Sequence, residues 1–301
     1  MKLGALGEDR LLNQILLHLP RGRTRKVFAG AGDDCAIVKI PGSKKYLVLK
    51  TDCVVEGVHF MHGTSASDAG WKAMMRPLSD FAAASAVPQF ALITLIVPQK
   101  TKVAWVQGLY RGLHRAAKRF EVSIVGGETS NTMGPIAISV SVIGFVEKAR
   151  AASRQGGRSG DDLFVTGRLG GALKEKHLKF VARIVESRWL TRNFSIHAMM
   201  DLSDGLGADL PRLARASRVG FNVELENFPV AHGATVNQAI TEGEDYELLF
   251  AISPRDRNSL EQKWRRQFPK LLLTRIGYLN GKSEFGNRRF PRGYVHFQKP
   301  R

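Results

Sequence analysis

Acidic residues, cysteines and long apolar runs are all scarce in this sequence. The 301 residues include 27 Asp and Glu against 45 Lys and Arg, a formal net charge of +18. The longest apolar run, residues 90–97, has the length of a β-strand and is far shorter than a membrane span. The two cysteines, Cys35 and Cys53, could form a disulfide, but a cytosolic protein would keep them reduced. We interpret them as small buried residues rather than catalytic thiols.

Several familiar signals are also missing. The first residues, MKLGALGEDRLL, lack the apolar centre and cleavage site of a signal peptide, so we expect a cytoplasmic protein. The sequence has no Walker A loop and no GxGxxG between a strand and a helix, which excludes the P-loop design for binding ATP. It also has no RNA-recognition, zinc-finger or helix-turn-helix signature. The positive charge is therefore interpreted as a field that attracts phosphorylated ligands, with nucleic-acid binding as the alternative.

The length and the hydrophobic fraction of 44% indicate one large or two medium domains with a real core. Composition shifts to Arg, Gly and Ser between residues 147 and 162, which predicts domains at 1–148 and 149–301. A helix is predicted over 68–85, capped by Asp68 and kinked or broken at Pro77. Alternating and apolar patterns predict strands at 35–40, 46–51, 90–97, 122–125, 136–146 and 163–167. The fold class is therefore mixed α and β.

The scarce acidic residues recur in short motifs rich in Gly, Ser and Thr. These motifs are GAGDD (30–34), KTD (50–52), LSD (78–80), GGET (126–129), DLSDG (201–205) and EGEDYE (242–247). Mg²⁺ prefers carboxylate oxygens and leaves other positions to water and phosphate, so several such motifs together indicate several Mg²⁺ ions and a polyphosphate. Taken singly, each motif also fits an ordinary turn or a helix cap, with Ser203 or Asp204 as the cap in DLSDG.

Taken in this order, the motifs resemble those of the thiamine-monophosphate kinase family, within the superfamily that includes aminoimidazole ribonucleotide synthetase. The resemblance runs from GEDRLL (7–12) to GYVHF (293–297), and VEGVHF and GEDYEL are its most specific stretches. It implies an α+β, two-domain PurM-like fold. In that fold the N-terminal sheet-plus-helices domain forms a barrel across a homodimer, and the C-terminal domain is an α/β layer over the site.

The resemblance further implies that ATP and Mg²⁺ convert thiamine monophosphate into thiamine diphosphate by direct in-line transfer, with no protein nucleophile. The implied metal ligands are Asp33, Thr51, Asp52, Asp80, Glu128, Asp201 and Asp204. The implied ATP contacts are Gly127, Glu128, Arg154 and Ser203. The implied contacts to the thiamine substrate are His59, Glu244 and Tyr294. No membrane or nucleic-acid partner is expected.

The sequence departs from the family pattern at three places. Glu128 stands where the family usually has Asp, and Pro77 stands where Asn is common. The segment between residues 167 and 190 lacks the usual proline-containing arginine motif, and Arg183 is its expected counterpart. Two alternatives therefore stay open, a related enzyme that phosphorylates another acceptor and a non-catalytic nucleotide-binding homologue.

Overall fold

The computed structural model describes residues 3–18, 24–174, 176–281, 291 and 293–294. Its strands are β1 Val27–Ala29, β2 Ala36–Lys39, β3 Lys45–Val55, β4 Val87–Val97, β5 Ser123–Asn131, β6 Ala137–Glu147, β7 Asp162–Thr166, β8 Ile196–Asp201, β9 Gly220–Val223, β10 Leu248–Ile252 and β11 Leu273–Asn280. Its helices are α1 Leu3–Leu6, α2 Glu8–Leu16, α3 Ala66–Ala83, α4 Val103–Arg119, α5 Lys176–Lys179, α6 Ile184–Asn193, α7 Leu206–Ser217, α8 Val236–Thr241 and α9 Arg257–Gln267. No helix in these described ranges is long and apolar enough to cross a membrane.

The first half of the chain forms a six-stranded sheet in the order β1-β2-β3-β6-β4-β5. Strands β2 and β3 form an antiparallel hairpin around a turn at Gly42, whose φ of 73° suits a residue without a side chain. Strand β3 then pairs with β6 along its full length, and β4 pairs in parallel with the edge strand β5. This register brings the KTD and GGET motifs into one sheet.

The two faces of this sheet have different surroundings. On β6, Ile138, Val140 and Val142 are buried and alternate with the half-buried Ser139 and Ser141. The buried face packs against α3, whereas the other face is open in the described chain. Because side chains alternate along a strand, this pattern fixes which site residues can meet α3.

Helix α3 lies at the centre of the molecule and is buried along most of its length. It packs closely on α4, since a Cβ at Gly70 would lie 2.1 Å from the carbonyl oxygen of Leu109. It also contacts α6 and β8 of the second half. The main hydrophobic core is therefore continuous from the first sheet, through α3, to one face of the second sheet.

The second sheet has the order β8-β10-β7-β11-β9, with every neighbouring pair antiparallel. Its other face packs a separate core under α7, formed largely by Leu206, Leu210 and Leu213 at helical spacing. The mixed fold class predicted from the sequence is confirmed. The two sheets lie on either side of the predicted boundary at residues 148–149, which itself stays a prediction.

Several local predictions are wrong. Ser65 rather than Asp68 caps α3, because its hydroxyl oxygen accepts the backbone N–H of Asp68 at 3.2 Å, and the helix continues through Pro77. The N-cap of α7 is Gly205, without a side-chain cap from Ser203 or Asp204.

Three predictions of burial or element length also fail. Strand 90–97 is not buried on both sides, since Phe90 and Leu92 are exposed. Cys53 is exposed on the open face, whereas Cys35 is buried, and both are free thiols. The motif GGET does not follow a strand that ends at residue 125 but lies inside the longer β5.

Candidate active site

Helix α3 carries four charged residues at four-residue spacing, and the last three of them, Lys72, Arg76 and Asp80, form a charged stripe. Residues four apart lie on the same face of a helix, so all three project from one stripe. The other buried residues of α3 are apolar or small, so the charged residues are confined to this stripe. Asp80 at one end of the stripe lies in a group of carboxylates, and Lys72 at the other end lies in a cavity.

Asp34, Asp80 and Asp201 form an acidic cluster. Each contributes a carboxylate oxygen, these oxygens lie within 4.8 Å of one another, and all three residues are buried. Asp34 comes from the turn before β2, Asp80 from α3 and Asp201 from the end of β8. Both halves of the chain therefore contribute to the cluster, which explains why three separate sequence motifs supply its members.

Neighbouring cations and hydroxyls compensate part of this negative charge. Lys50 Nζ lies 2.9 Å from Asp80 Oδ1, and the Arg154 guanidinium binds Asp34, with Nε at 3.1 Å. The Ser79 hydroxyl donates to Asp201 Oδ2 at 2.6 Å. These contacts hold the carboxylates in place, but they leave some of the oxygens without partners.

The unsatisfied oxygens belong to Asp33 and Asp34. Oδ2 of each is buried with no hydrogen-bond partner among the described residues, although such groups are normally paired. Burial, reinforced by the neighbouring Asp34 carboxylate, raises the pKa of Asp33 and that of Asp201 to about 6. Buried carboxylates that repel one another and lack donors are suited to a hard cation such as Mg²⁺. The residues present therefore fit the metal that the resemblance implies.

Other implied metal ligands lie around this cluster. Asp52 is on the α3 side of β3, with Oδ2 3.3 Å from Arg76 Nε. Thr51 and Glu128 are exposed on the open face of the sheet, where the Ser141 hydroxyl donates to Thr51 Oγ1 at 3.0 Å. The structure does not bring Thr51 and Glu128 to the acidic cluster, and their role as ligands stays a prediction.

The α3 cavity, of about 300 Å³, opens at the other end of the charged stripe. All three implied thiamine contacts line it, together with two residues of DLSDG and several residues of α3 and the second half. Its lining residues are Val58, His59, Met61, Lys72, Arg76, Leu173, His177, Ser203, Asp204, Gly243, Glu244, Tyr246 and Tyr294. His59, Glu244 and Tyr294 thus line one cavity, and their contact with a thiamine substrate stays a prediction.

Lys72 is fully buried at the base of the cavity. Its ammonium donates to Glu244 and to the carbonyl oxygen of His59, and it lies 2.7 Å from His177 Nδ1. Burial lowers the pKa of Lys72 to about 8, with Glu244 opposing the shift. Burial also acts to raise the pKa of Glu244, but His177, Lys72 and Arg76 outweigh it and hold that pKa at about 2. Glu244 is therefore ionised at neutral pH.

The EGEDYE motif alternates between the cavity and the protein interior. Glu244 and Tyr246 line the cavity with left-handed φ angles of 70° and 51°, which residues with side chains rarely adopt. Asp245 accepts the backbone N–H of Gly170, and Glu247 binds Arg183 through both carboxylate oxygens, at 2.7 and 2.8 Å. Backbone strain of this kind persists where surrounding contacts enforce it, typically at functional sites.

The implied ATP contacts occupy several positions. Gly127 lies on the edge strand β5, where a Cβ would be 1.8 Å from the carbonyl oxygen of Ile93. Arg154 is committed to Asp34, and its backbone N–H donates to Asp33 Oδ1 at 3.2 Å. Ser203 lines the α3 cavity, and Asp204 beside it is bound by Arg212. Whether these residues contact ATP stays a prediction.

Sequence reasoning missed Lys72, Arg76 and His177 as site residues and committed to Asp33 rather than Asp34. A signal for the first two exists in the sequence. In WKAMMRPLSD the cations are spaced by four on a helix that is otherwise apolar or small, and the same spacing leads on to Asp80. No comparable signal marks His177, because it reaches the cavity from a separate short helix, α5.

Comparison with known proteins agrees with this architecture. The family model for the N-terminal domain of AIR synthase related proteins matches residues 32–146, and the model for their C-terminal domain matches residues 137–268. The fold is thus that of a two-domain, PurM-like AIR synthase related protein.

Individual relatives are more specific. Thiamine-monophosphate kinase of Rhodopirellula baltica is 36% identical over 315 residues, covering 95% of this chain and 97% of that protein. The enzyme of the same name from Aquifex aeolicus is 33% identical, covering 99% of this chain and 100% of that protein. The solved structure of AaThiL complexed with AMPPCP and TMP has a TM-score of 0.83 at 32% identity, covering 98% of this chain and 99% of that one. The chain belongs to the thiamine-monophosphate kinase family.

Proposed function

We propose that this chain transfers the γ-phosphoryl group of ATP to thiamine monophosphate, giving ADP and thiamine diphosphate. The observation that carries the proposal is the pairing of two sites along α3. A buried acidic cluster with unsatisfied oxygens lies at one end, and a cavity lined by His59, Glu244 and Tyr294 lies at the other. Family membership and a structural relative complexed with AMPPCP and TMP support the same reaction.

The acidic cluster would hold Mg²⁺, with Asp33 and Asp52 as further ligands. Bound Mg²⁺ would neutralise phosphate charge that builds up during transfer. Lys50 and Arg154 fix the carboxylates of Asp80 and Asp34 in position, so that little reorganisation is needed when a polyphosphate arrives.

The α3 cavity supplies the chemistry for the acceptor. Ionised Glu244 faces a cavity that would take the cationic thiamine, and Tyr294, with 42% of its surface exposed, offers a ring for stacking. A phosphate oxygen of thiamine monophosphate forms the new bond to the γ-phosphorus, while the bond from that phosphorus to the bridging oxygen of ADP breaks. Because the acceptor is already anionic, no protein nucleophile or general base is required.

We further propose a cytoplasmic homodimer built through the open face of the first sheet. Phe90, Leu92 and Val125 are 43%, 42% and 58% exposed on β4 and β5, which is unusual for large apolar residues of a central sheet. A second copy of domain 1–148 would cover them, with domain 149–301 outside the interface. Glu128, one of the proposed ATP contacts, lies on the same face, which supports an ATP site near that interface.

An assay of ADP release with Mg-ATP, with and without thiamine monophosphate, tests the function. We expect turnover that needs both substrates and Mg²⁺, with thiamine diphosphate identified by chromatography. ATP binding without this product would favour another acceptor or a non-catalytic homologue.

Sedimentation velocity of the wild type and Leu92→Lys tests the proposed dimer. The charged residue should dissociate the dimer, and a wild type that sediments as a monomer would refute the interface.

A further inference from the structure

Arg76 has no assigned role, yet it occupies the middle of the charged stripe on α3. It lies one turn after Lys72 and one turn before Asp80, and it lines the α3 cavity. On its other side, Asp52 Oδ2 approaches its Nε to 3.3 Å. Arg76 therefore stands between the cavity and the carboxylates proposed to hold Mg²⁺.

The guanidinium of Arg76 is incompletely bonded. Its Nε and Nη1 are buried and have no hydrogen-bond acceptor among the described residues. Asp52 is close enough for an ion pair, but the N–H of Nε does not point at its carboxylate, so no hydrogen bond forms. A buried charged donor left without an acceptor is costly, and a ligand that supplies the acceptor would remove that cost.

Lys72, the neighbouring cation in the cavity, is in a different state. Its ammonium has three donors, and Glu244, the carbonyl of His59 and the ring of His177 lie within hydrogen-bond distance of it. The hydrogen bonds of Lys72 are therefore all made to groups of the protein that surround the cavity. Arg76 is the cation of this stripe whose donors remain available to a ligand.

The chemistry of the donors indicates the class of ligand. A guanidinium presents its N–H groups in a planar fork that matches two oxygens of a phosphate, and it stays charged at all ordinary pH values. In this cavity Glu244 can face a cation and Tyr294 can stack on a ring, and the phosphate of a phosphomonoester would need a further, cationic partner. Arg76 lines the cavity and approaches Asp52, one of the proposed magnesium ligands, so a phosphate bound by Arg76 would lie beside those ligands.

We propose that Arg76 binds the phosphate group of thiamine monophosphate and holds it between the α3 cavity and the proposed magnesium ligands. This inference rests on the proposed function and adds to it the residue that distinguishes the phosphorylated acceptor from thiamine itself. Removing the Arg76 guanidinium should weaken binding of thiamine monophosphate while leaving binding of thiamine intact.

Isothermal titration of wild type, Arg76→Met and Arg76→Lys with thiamine monophosphate, thiamine and AMPPCP tests the proposal. Hydrogen bonds to charged groups are worth about 1.5–3 kcal/mol, so Arg76→Met should lose about 10- to 100-fold in affinity for thiamine monophosphate. Arg76→Lys should recover part of that loss, because it restores the charge without the fork. Binding of thiamine and of AMPPCP should stay within about twofold of wild type. Arg265→Met, on an exposed position of α9, is the matched control for loss of one positive charge.

Several results would overturn the assignment. An equal loss for thiamine and thiamine monophosphate would mean that Arg76 shapes the cavity, and a loss confined to AMPPCP would place its partner on the nucleotide. Unchanged affinity in a variant whose thermal unfolding matches wild type would remove Arg76 from binding altogether.

Failure of the proposed function and failure of the Arg76 assignment can be told apart. If the wild type binds no thiamine monophosphate and makes no thiamine diphosphate, the proposed function fails and this inference fails with it. If the wild type is active and Arg76→Met has the wild-type KM for thiamine monophosphate, only the assignment of Arg76 fails.

Discussion

The acidic cluster with its neighbour Asp33 and the α3 cavity both contain buried polar atoms without hydrogen-bond partners among the described residues, but these atoms are acceptors in the first region and donors in the second. In the first region, one buried carboxylate oxygen each of Asp33 and Asp34 has no donor in the part of the chain that the structure describes; in the second, two buried N–H groups of Arg76 have no acceptor there. The two regions are joined by a single helix, with Asp80 and Arg76 one turn apart. Each region has the unsatisfied groups that a different part of the same reaction complex would satisfy, a cation in one and an anion in the other.

A chain of net charge +18 can still form a candidate metal site, because its cations only partly neutralise the buried carboxylates. Lys50 and Arg154 compensate the acidic cluster only in part, which keeps the cluster folded without saturating it. In the α3 cavity, by contrast, the Lys72 ammonium is bonded to Glu244, whereas Nε and Nη1 of Arg76 have no acceptor among the described residues. Incomplete pairing costs stability in the unliganded protein, and that cost is recovered when ligands bind.

Asp201→Asn should have the largest effect, because it removes a charge from the acidic cluster while preserving the shape and the hydrogen bond from Ser79. We expect turnover to fall on the order of 100- to 1000-fold in the ADP-release assay. The metal-free variant should be as stable as wild type or more so, because carboxylate repulsion is relieved. Asp256→Asn, at a residue that caps no N–H of α9, is the matched control. Near-normal turnover would remove Asp201 from the magnesium site.

Lys50→Met should have the opposite effect on stability. It leaves Asp80 buried without its cation, so the free energy of unfolding in metal-free buffer should fall by about 3 kcal/mol, measured by urea denaturation. Lys45→Met, at an exposed position of the same strand, is the control. If the loss at Lys50 equals that at Lys45, the ion pair does not stabilise the cluster.

Stability should depend on pH in a way that Mg²⁺ reverses. The pKa values of Asp33 and Asp201 are about 6 in the folded protein against an ordinary value of 3.8. At a pH between about 4 and 6, the native state therefore binds more protons than the unfolded chain. Their contribution to the free energy of unfolding therefore decreases as pH rises from about 4 to 6. Mg²⁺ at 100 times its Kd should add about 2.7 kcal/mol at pH 7 and flatten this dependence. Thermal melts at several pH values, with and without Mg²⁺, measure both effects; a pH profile that Mg²⁺ leaves unchanged would contradict the site.

Tyr294→Ala should have the smallest effect and should separate the two regions. The side chain is exposed and lines the α3 cavity, so we expect KM for thiamine monophosphate to rise about five- to tenfold, in line with loss of one stacking contact. KM for ATP and the metal dependence should stay unchanged, and Tyr294→Phe should retain wild-type KM. A change in KM for ATP would place the ring on the nucleotide instead.

The elements and the family were accessible from sequence because they depend on local patterns. The alternation in residues 136–146 predicted β6, and the hairpin of β2 and β3 followed from its turn residues. The predicted family and fold class are confirmed by the comparisons with known proteins. Each of these features is encoded in consecutive residues, so no knowledge of distant contacts was needed.

Other features failed because distant contacts decided them. Pro77 does not end α3, because burial of that helix between the first sheet and α6 outweighs one lost backbone hydrogen bond. Cys53 and Phe90 are exposed because the described chain leaves one face of the first sheet uncovered. The partners of Asp34 are separated from it by 46 to 167 residues in the chain, a pairing that no local pattern reveals.

By itself, the sequence determined the types of chemical group available and their local geometry: carboxylates in short turns and strands, and cations spaced by four on a helix. Only the tertiary structure decided which of those groups are satisfied. Whether a carboxylate repels its neighbours or a guanidinium lacks an acceptor depends on burial and on side chains brought together by chain packing. Arg76 and Asp34 are ordinary charged residues in the sequence, and their unsatisfied atoms are the proposed ligand sites because the fold excludes the water that would otherwise pair with them.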